Sequence, residues 1–154
     1  MLRSFLLLLV LTSAFHFSYP QERHTYKRED GTLKSEGDKI SGRKTGEWKF
    51  YDKQGKLKTI AHFKYGRMHG LVKDFYDDGS KRRITEYQYD EKDGRYRTWY
   101  ENGNPETLGF YDSDERDSLW TYWYRNGIKK MEIYHYNPDS SRLLQFYRRN
   151  ADTL

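Results

Sequence analysis

Gly94-Arg-Tyr-Arg-Thr-Trp-Tyr-Glu-Asn-Gly103 is the stretch on which the reading of this chain turns. Twenty-four residues earlier stands Gly70-Leu-Val-Lys-Asp-Phe-Tyr-Asp-Asp-Gly79. Twenty-four residues later stands Ser118-Leu-Trp-Thr-Tyr-Trp-Tyr-Arg-Asn-Gly127, and two steps back lies Gly46-Glu-Trp-Lys-Phe-Tyr-Asp-Lys-Gln-Gly55. Gly31, Gly55, Gly79, Gly103 and Gly127 all keep the same interval of 24. A fixed period of this length marks stacked supersecondary units.

Each unit holds two strand candidates. The first covers 47–51, 71–76, 95–100 and 119–124, runs rich in Trp, Tyr and Phe that end at Asp-Gly or Asn-Gly chemistry. Those dipeptides supply the positive φ of tight hairpin turns, so Gly55, Gly79, Gly103 and Gly127 are expected there. The first full copy reads as having a longer turn, with Phe50-Tyr51 one place early. The second strand covers 57–65, 82–89, 107–112 and 129–136. Short connectors such as 66–70 and 90–94 lead onward, and the acidic run 112–117 reads as a solvated loop. The predicted fold is all-β, an elongated antiparallel meander of hairpins with no helix in the repeat region.

Alternation assigns the faces. Gly37, Ala61, Thr85 and Gly109 form a column of small residues beside the aromatic column Phe63, Tyr87 and Tyr111. Trp48 with Phe50, Val72 with Tyr76, Tyr96 with Tyr100, and Trp120 with Tyr122 and Tyr124 share the matching parity, which is predicted to be buried and concave. The opposite parity carries one aromatic per copy, Tyr51, Phe75, Trp99 and Trp123, among Lys49, Lys73, Arg95 and Arg97.

The composition fits a thin, aromatic-rich fold. Charged residues make up 33% of the 154 and mean hydropathy is −1.14, values that alone would suggest disorder. An aromatic content of 18% points the other way, because these rings bury large areas. The absence of cysteine excludes disulfides, thiolate metal sites and a cysteine nucleophile.

Residues 1–20 are a different material. Arg3, the apolar run from Phe5 to Leu11 and the small residues Thr12, Ser13 and Ala14 match a secretory signal peptide. The alternative reading is a single membrane anchor, against which stands a run shorter than the roughly 20 residues a span needs. Its removal takes away one charged residue, Arg3, and lowers the net charge from +5 to +4. The expected organisation is a signal peptide at 1–20, an exposed lead-in at 21–28, a repeat domain at 29–147 and a tail at 148–154. Within the domain, residues 29–42 read as a polar cap. Leu143, Leu144, Phe146 and Tyr147 read as a closing strand.

Gly-x-Trp-x-(aromatic)-Tyr followed by Asp/Asn-Gly at a period of 24 resembles the MORN repeat, in the bacterial variant found in YwqK-like antitoxin proteins. The resemblance runs from Glu29 to Tyr147. It departs at Ser118 and Arg142 for the opening glycine, and at Val72 and Tyr96 for the tryptophan. It implies a rod or half-pipe of hairpins that serves as a protein- or membrane-binding scaffold, antitoxin-like in some relatives.

No catalytic, metal or cofactor-binding constellation is legible. The five histidines (His16, His24, His62, His69 and His135) lack metal-ligand spacing, and Gly79-Ser80 is turn chemistry rather than a nucleophile elbow. The chain is expected to be a non-enzymatic, exported binding module that uses no cofactor and does not bind nucleic acid. Its candidate partner-binding residues are the outer aromatics Phe75, Trp99 and Trp123 and the basic edge Lys81, Arg82 and Arg83. A protein is the first expected partner. The alternative is a glycan or another anionic component of the cell envelope or membrane surface, since the aromatic repeats also resemble choline- and glucan-binding modules.

Overall fold

The computed structural model describes residues 21–137 and 140–146. The signal peptide expected at 1–20 and the tail at 148–154 lie outside the described residues, as does Tyr147. Among the described residues there are eleven strands and no helix: β1 (Glu22–Lys27), β2 (Leu33–Ile40), β3 (Arg43–Tyr51), β4 (Leu57–Lys64), β5 (Arg67–Phe75), β6 (Lys81–Gln88), β7 (Glu91–Trp99), β8 (Pro105–Asp112), β9 (Glu115–Trp123), β10 (Lys129–Asn137) and β11 (Ser140–Phe146). They form one sheet in strict sequence order, each strand antiparallel to its neighbours.

Two kinds of turn alternate along the chain, one on each margin of the sheet. On one margin lie five equivalent turns with a glycine at positive φ: Gly31, Gly55, Gly79, Gly103 and Gly127, at 80–85°. At Gly79 the glycine amide donates to the Tyr76 carbonyl (3.0 Å) and the Tyr76 amide to the Ser80 carbonyl (2.9 Å). The Asp78 carboxylate accepts from the Ser80 amide and hydroxyl. This is a three-residue hairpin loop closed by a glycine bulge. At Gly55 the glycine amide likewise donates to the Asp52 carbonyl and the Asp52 amide to the Lys56 carbonyl, so the longer turn expected in the first full copy is absent. Asp52 stands where Tyr76, Tyr100 and Tyr124 stand in later copies, and its carboxylate caps the Gln54 and Lys56 amides.

On the other margin the turns are two residues long: Ser41-Gly42, Tyr65-Gly66, Tyr89-Asp90 and Ser113-Asp114, all at positive φ. Both central residues in that region define the hairpin turn whose twist matches the flanking strands. Residues 66–70 and 90–94, expected as connectors, therefore belong mostly to β5 and β7, and 112–117 is strand except at 113–114. The turn tips are tied backwards. Gly66 donates to the Lys44 carbonyl (2.9 Å), Asp90 to that of Met68 (2.9 Å) and Asp114 to that of Lys92 (2.8 Å). Backbone that looks like loop in sequence is thus held in the sheet. Residues 22–27, read as lead-in, pair with β2 as the first strand and are largely exposed.

The core lies within one face. Gly37, Trp48, Ala61, Val72, Thr85, Tyr96 and Gly109 are successive cross-strand partners, and Trp120 on β9 continues the column. Trp48 is 0% and Trp120 1% exposed. Each indole lies flat on the backbone of the strand before it. A Cβ built on Gly37 would meet the Trp48 ring at 2.4 Å, and one on Gly109 would meet the Trp120 ring at 2.3 Å. The indole N–H groups find carbonyls, Trp48 that of Asp38 (2.9 Å) and Trp120 that of Phe110 (3.1 Å). Tyr111 and Tyr96 pack on Trp120 with ring centroids at 5.0 and 5.4 Å, and Phe63 stands edge-on to Trp48 at 6.4 Å. Small opposite large is how a single layer buries its largest rings.

Two stability outcomes follow from this column. Trp120→Ala is expected to cost about 3–5 kcal/mol in a denaturant melt, the range for deleting a buried aromatic. Gly109→Ala is expected to cost about 1–3 kcal/mol by overpacking, because the ring it meets rests on backbone and cannot retreat. A change below about 1 kcal/mol for both would mean the indoles are not seated on the glycines.

Candidate outer-face interface

The outer row is built by alternation and by the bulge that ends each odd-numbered strand. Tyr51, Phe75, Trp99 and Trp123 are the last residues of β3, β5, β7 and β9, opposite Leu57, Lys81, Pro105 and Lys129. All four rings are half-buried. Three of the four backbones, those of Tyr51, Trp99 and Trp123, are tied to the preceding repeat. The Arg28 guanidinium donates to the Tyr51 carbonyl (2.6 Å), the Tyr76 hydroxyl to that of Trp99 (2.6 Å) and the Tyr100 hydroxyl to that of Trp123 (2.9 Å). Tyr76 and Tyr100, expected to share the buried parity of Val72 and Tyr96, spend their hydroxyls on this tie, because the bulge before them interrupts strict alternation. Burial raises the phenol pKa of both. Tyr51 rises to about 12 through burial and its hydrogen bond to Glu36 (2.7 Å).

The row does not stand alone. The next column on the same face runs Glu36, Lys49, Ile60, Lys73, Ile84, Arg97, Leu108 and Thr121, so aliphatic and cationic residues alternate across the strands. Toward β8 and β9 the face becomes more apolar and more exposed: Leu108 is 37%, Phe110 39% and Leu119 42% accessible. Trp99, Trp123, Leu108, Pro105 and Arg97 line an open groove of about 290 Å³. Arg95 and Arg97 are exposed beside it. The sequence pattern isolates Trp99 and Trp123 but misses the leucines and Phe110. Their only signal was parity, and single aliphatics on a polar face are common.

The basic edge divides. Lys81 and Arg82 are exposed, but Arg83 points to the opposite face. There its guanidinium holds the Asp74 carboxylate through Nε (2.7 Å) and Nη2 (2.6 Å). Asp74 is 5% exposed and also accepts the Thr59 hydroxyl at 2.7 Å. The bulge opposite Phe75 breaks the alternation at Arg82, so Arg83 keeps the inner-face parity of Thr85 and is corrected from an edge residue to the partner of a buried acid. Elsewhere on the margin acids interleave with the cations: Lys58 pairs with Asp77, and Arg125 with Glu101 at 3.7 Å.

The inner face holds a second set of polar rings that sequence reading treats only as core. Tyr87, Tyr96 and Tyr122 are half-exposed, and burial raises each phenol pKa. Arg116 donates to the Tyr122 hydroxyl (3.2 Å) and lies 4.6 Å over Trp120. Lys92 lies over Tyr111, and Lys44 over Trp48, Phe50 and Phe63 at 4.6–4.9 Å. Residues 44, 92 and 116 keep the repeat interval, so a periodic search for cations would have found them. The described histidines sit apart. His62 meets the Leu71 carbonyl, His69 lies against Tyr89 and His135 against Trp120. Among the described residues, no three His, Cys, Asp or Glu side chains converge on a metal position.

Residues 44–65, 68–89 and 92–113 each match the family model described as a MORN repeat variant. Each match begins on the first strand of a hairpin and ends at the tip of the following two-residue turn, or one residue short of its end. No curated protein matches the chain. MORN repeats are in general modules of protein or membrane interaction. Three consecutive hairpins of the one sheet, within residues 44–113, thus carry MORN repeats of the variant type.

Proposed function

We propose that this chain is an exported, non-enzymatic scaffold that binds another protein through the β7–β9 part of its outer face. The observation that carries the reading is the contiguous patch formed by Trp99, Trp123, Leu108, Phe110 and Leu119, rimmed by Arg95 and Arg97. Trp and Arg are the side chains most enriched at interface hot spots, and apolar groups gathered on one face favour a partner. An antitoxin- or immunity-like role is the specific form that the resemblance of the repeats suggests. It would apply where the partner is an exported toxin.

The interface is tested by affinity capture from envelope and culture-supernatant fractions, with the same variants run on a glycan array. Trp99→Ala/Trp123→Ala is expected to abolish capture of the partner while costing under about 2 kcal/mol in the melt, since both rings are half-buried. Retained capture by this variant rules the row out. Binding confined to the glycan array assigns the groove between the two rings to a sugar instead.

Export rests on Arg3, the apolar run from Phe5 to Leu11 and the small residues before position 20. Fractionation followed by N-terminal sequencing should find the chain outside the cytoplasm and shortened within its first twenty residues. A full-length cytoplasmic chain would overturn this part of the proposal.

A further inference from the structure

The margin that carries the two-residue turns is electrically polarised along its length. Four seven-residue windows, 24 apart, hold these turns. Residues 39–45 contain Lys39, Arg43 and Lys44 with no acid, and 63–69 contain Lys64 and Arg67 with no acid. Residues 87–93 contain three acids against Lys92, and 111–117 contain four acids against Arg116. The net charges run +3, +2, −2, −3, an antisymmetric series. The opposite margin, read in the same way over 28–34, 52–58, 76–82, 100–106 and 124–130, gives 0, +2, 0, −2, +3 and has no such order.

Much of this charge is unspent within the chain. Arg67 pairs with Asp90 (3.0 Å) and Lys92 with Asp114 (3.7 Å). Among the described residues, Arg43, Lys44 and Lys64 meet no carboxylate, and Glu91, Asp112, Glu115 and Asp117 meet no cation. Lys39 and Lys44 stand directly opposite each other in register, an arrangement that is unfavourable for like charges. The two ends also differ in shape. Ile40, Arg43, Lys64 and Tyr65 frame an open cleft of about 600 Å³ at the basic end, with Tyr65 68% exposed at a turn tip. At the acidic end residues 112–116 are all exposed.

We infer that this margin is a self-complementary interface for a second copy of the chain, set antiparallel about a twofold axis between the second and third windows. A twofold contact brings the same surface together from both partners, so an antisymmetric charge series neutralises itself window by window. The +3 window of one copy faces the −3 window of the other, and +2 faces −2. The acidic tip at Ser113-Asp114 meets the cleft at Arg43 and Lys64, twice per dimer. The spacing matches automatically, because the hairpin pitch of about 10 Å is identical in the two copies. The parallel arrangement would set like charge on like, so the pattern also selects orientation.

The chain has no cysteine, which makes cross-linking a clean test. Ser41→Cys and Ser113→Cys are prepared in separate full-length copies, mixed and mildly oxidised. The mixture is expected to yield disulfide-linked dimer at least about fivefold above either variant alone, because the antiparallel contact apposes unlike turns only. Raising the salt from about 0.05 M to about 0.5 M should suppress the product about tenfold, as screening predicts. Lys39→Glu/Arg43→Glu in the first copy turns its +3 window to −1 against −3 and should abolish it. Adding Asp112→Lys/Glu115→Lys to the second copy should restore it, which also shows that the reversed chains remain folded. Equal cross-linking of Ser41→Cys with itself, no product in the mixture, or a product indifferent to salt and charge reversal overturns the proposal. So does capture of a different acidic protein by the basic end while the chain itself stays monomeric.

Discussion

A single sheet without a covering layer has to find its core inside one face, and this chain does so by laying indoles on glycines. Trp48 over Gly37 and Trp120 over Gly109 reach near-zero exposure because the partner strand offers bare backbone where other residues would hold a side chain. The hydrophobic gain comes from contact between a flat ring and a flat peptide ladder, with the indole N–H consumed by a nearby carbonyl. The middle copies do the same with less contrast. Val72 stands between Ala61 and Thr85, and Tyr96 between Thr85 and Gly109. Ring size and the smallness of its neighbours therefore vary together along the column.

That packing requires every hairpin to arrive in the same register. The bulges before Tyr51, Phe75 and Trp99 recur at one point in each unit, and a second register shift recurs between each even-numbered strand and the next, at Ala61/Phe63, Thr85/Tyr87 and Leu108/Phe110. A slip of one residue would turn each Trp to the outer face. Ties that skip a strand enforce the register: Tyr76 to Trp99 and Tyr100 to Trp123 on one margin, and Asp90 to Met68 and Asp114 to Lys92 on the other. Each joins a unit to its immediate neighbour. Stability is then a sum of local terms, as in other stacked-repeat proteins.

The hairpins, their turn glycines and the division into faces were legible because period and alternation are direct consequences of strand geometry. Strand ends were not. Arg67, Met68 and His69 look like connector, and only the backward amide bonds from the turn tips show why they stay in the sheet. β1 was missed because an exposed strand needs no apolar pattern when its backbone is paired from one side. Of the candidate site, the aromatic row was visible as a repeat. Arg83 was misplaced because a run of three basic residues suggests one surface, whereas the bulge opposite Phe75 parts Lys81 and Arg82 from Arg83, which a buried acid claims. The aliphatic half of the patch carries no periodic signature, so it emerged only in three dimensions.

The division of labour between faces explains how such a chain could change what it binds without losing its fold. Side chains on the outer face make no contribution to the Trp48–Trp120 column, so Leu108, Phe110 and Leu119 could vary while Gly109 and Trp120 between them stay fixed. The separation is incomplete at one place. Trp99 and Trp123 receive hydroxyl bonds at their carbonyls, so their backbone position belongs to the register ties even though their rings belong to the surface. Replacing the ring leaves the tie intact, because the accepting group is main chain. An aromatic anchor mounted on a backbone pinned from the preceding repeat is pre-organised, and it loses less freedom on binding than the same ring on a free loop. The constraint that keeps the hairpins in register thereby also holds the outer row ready for a partner.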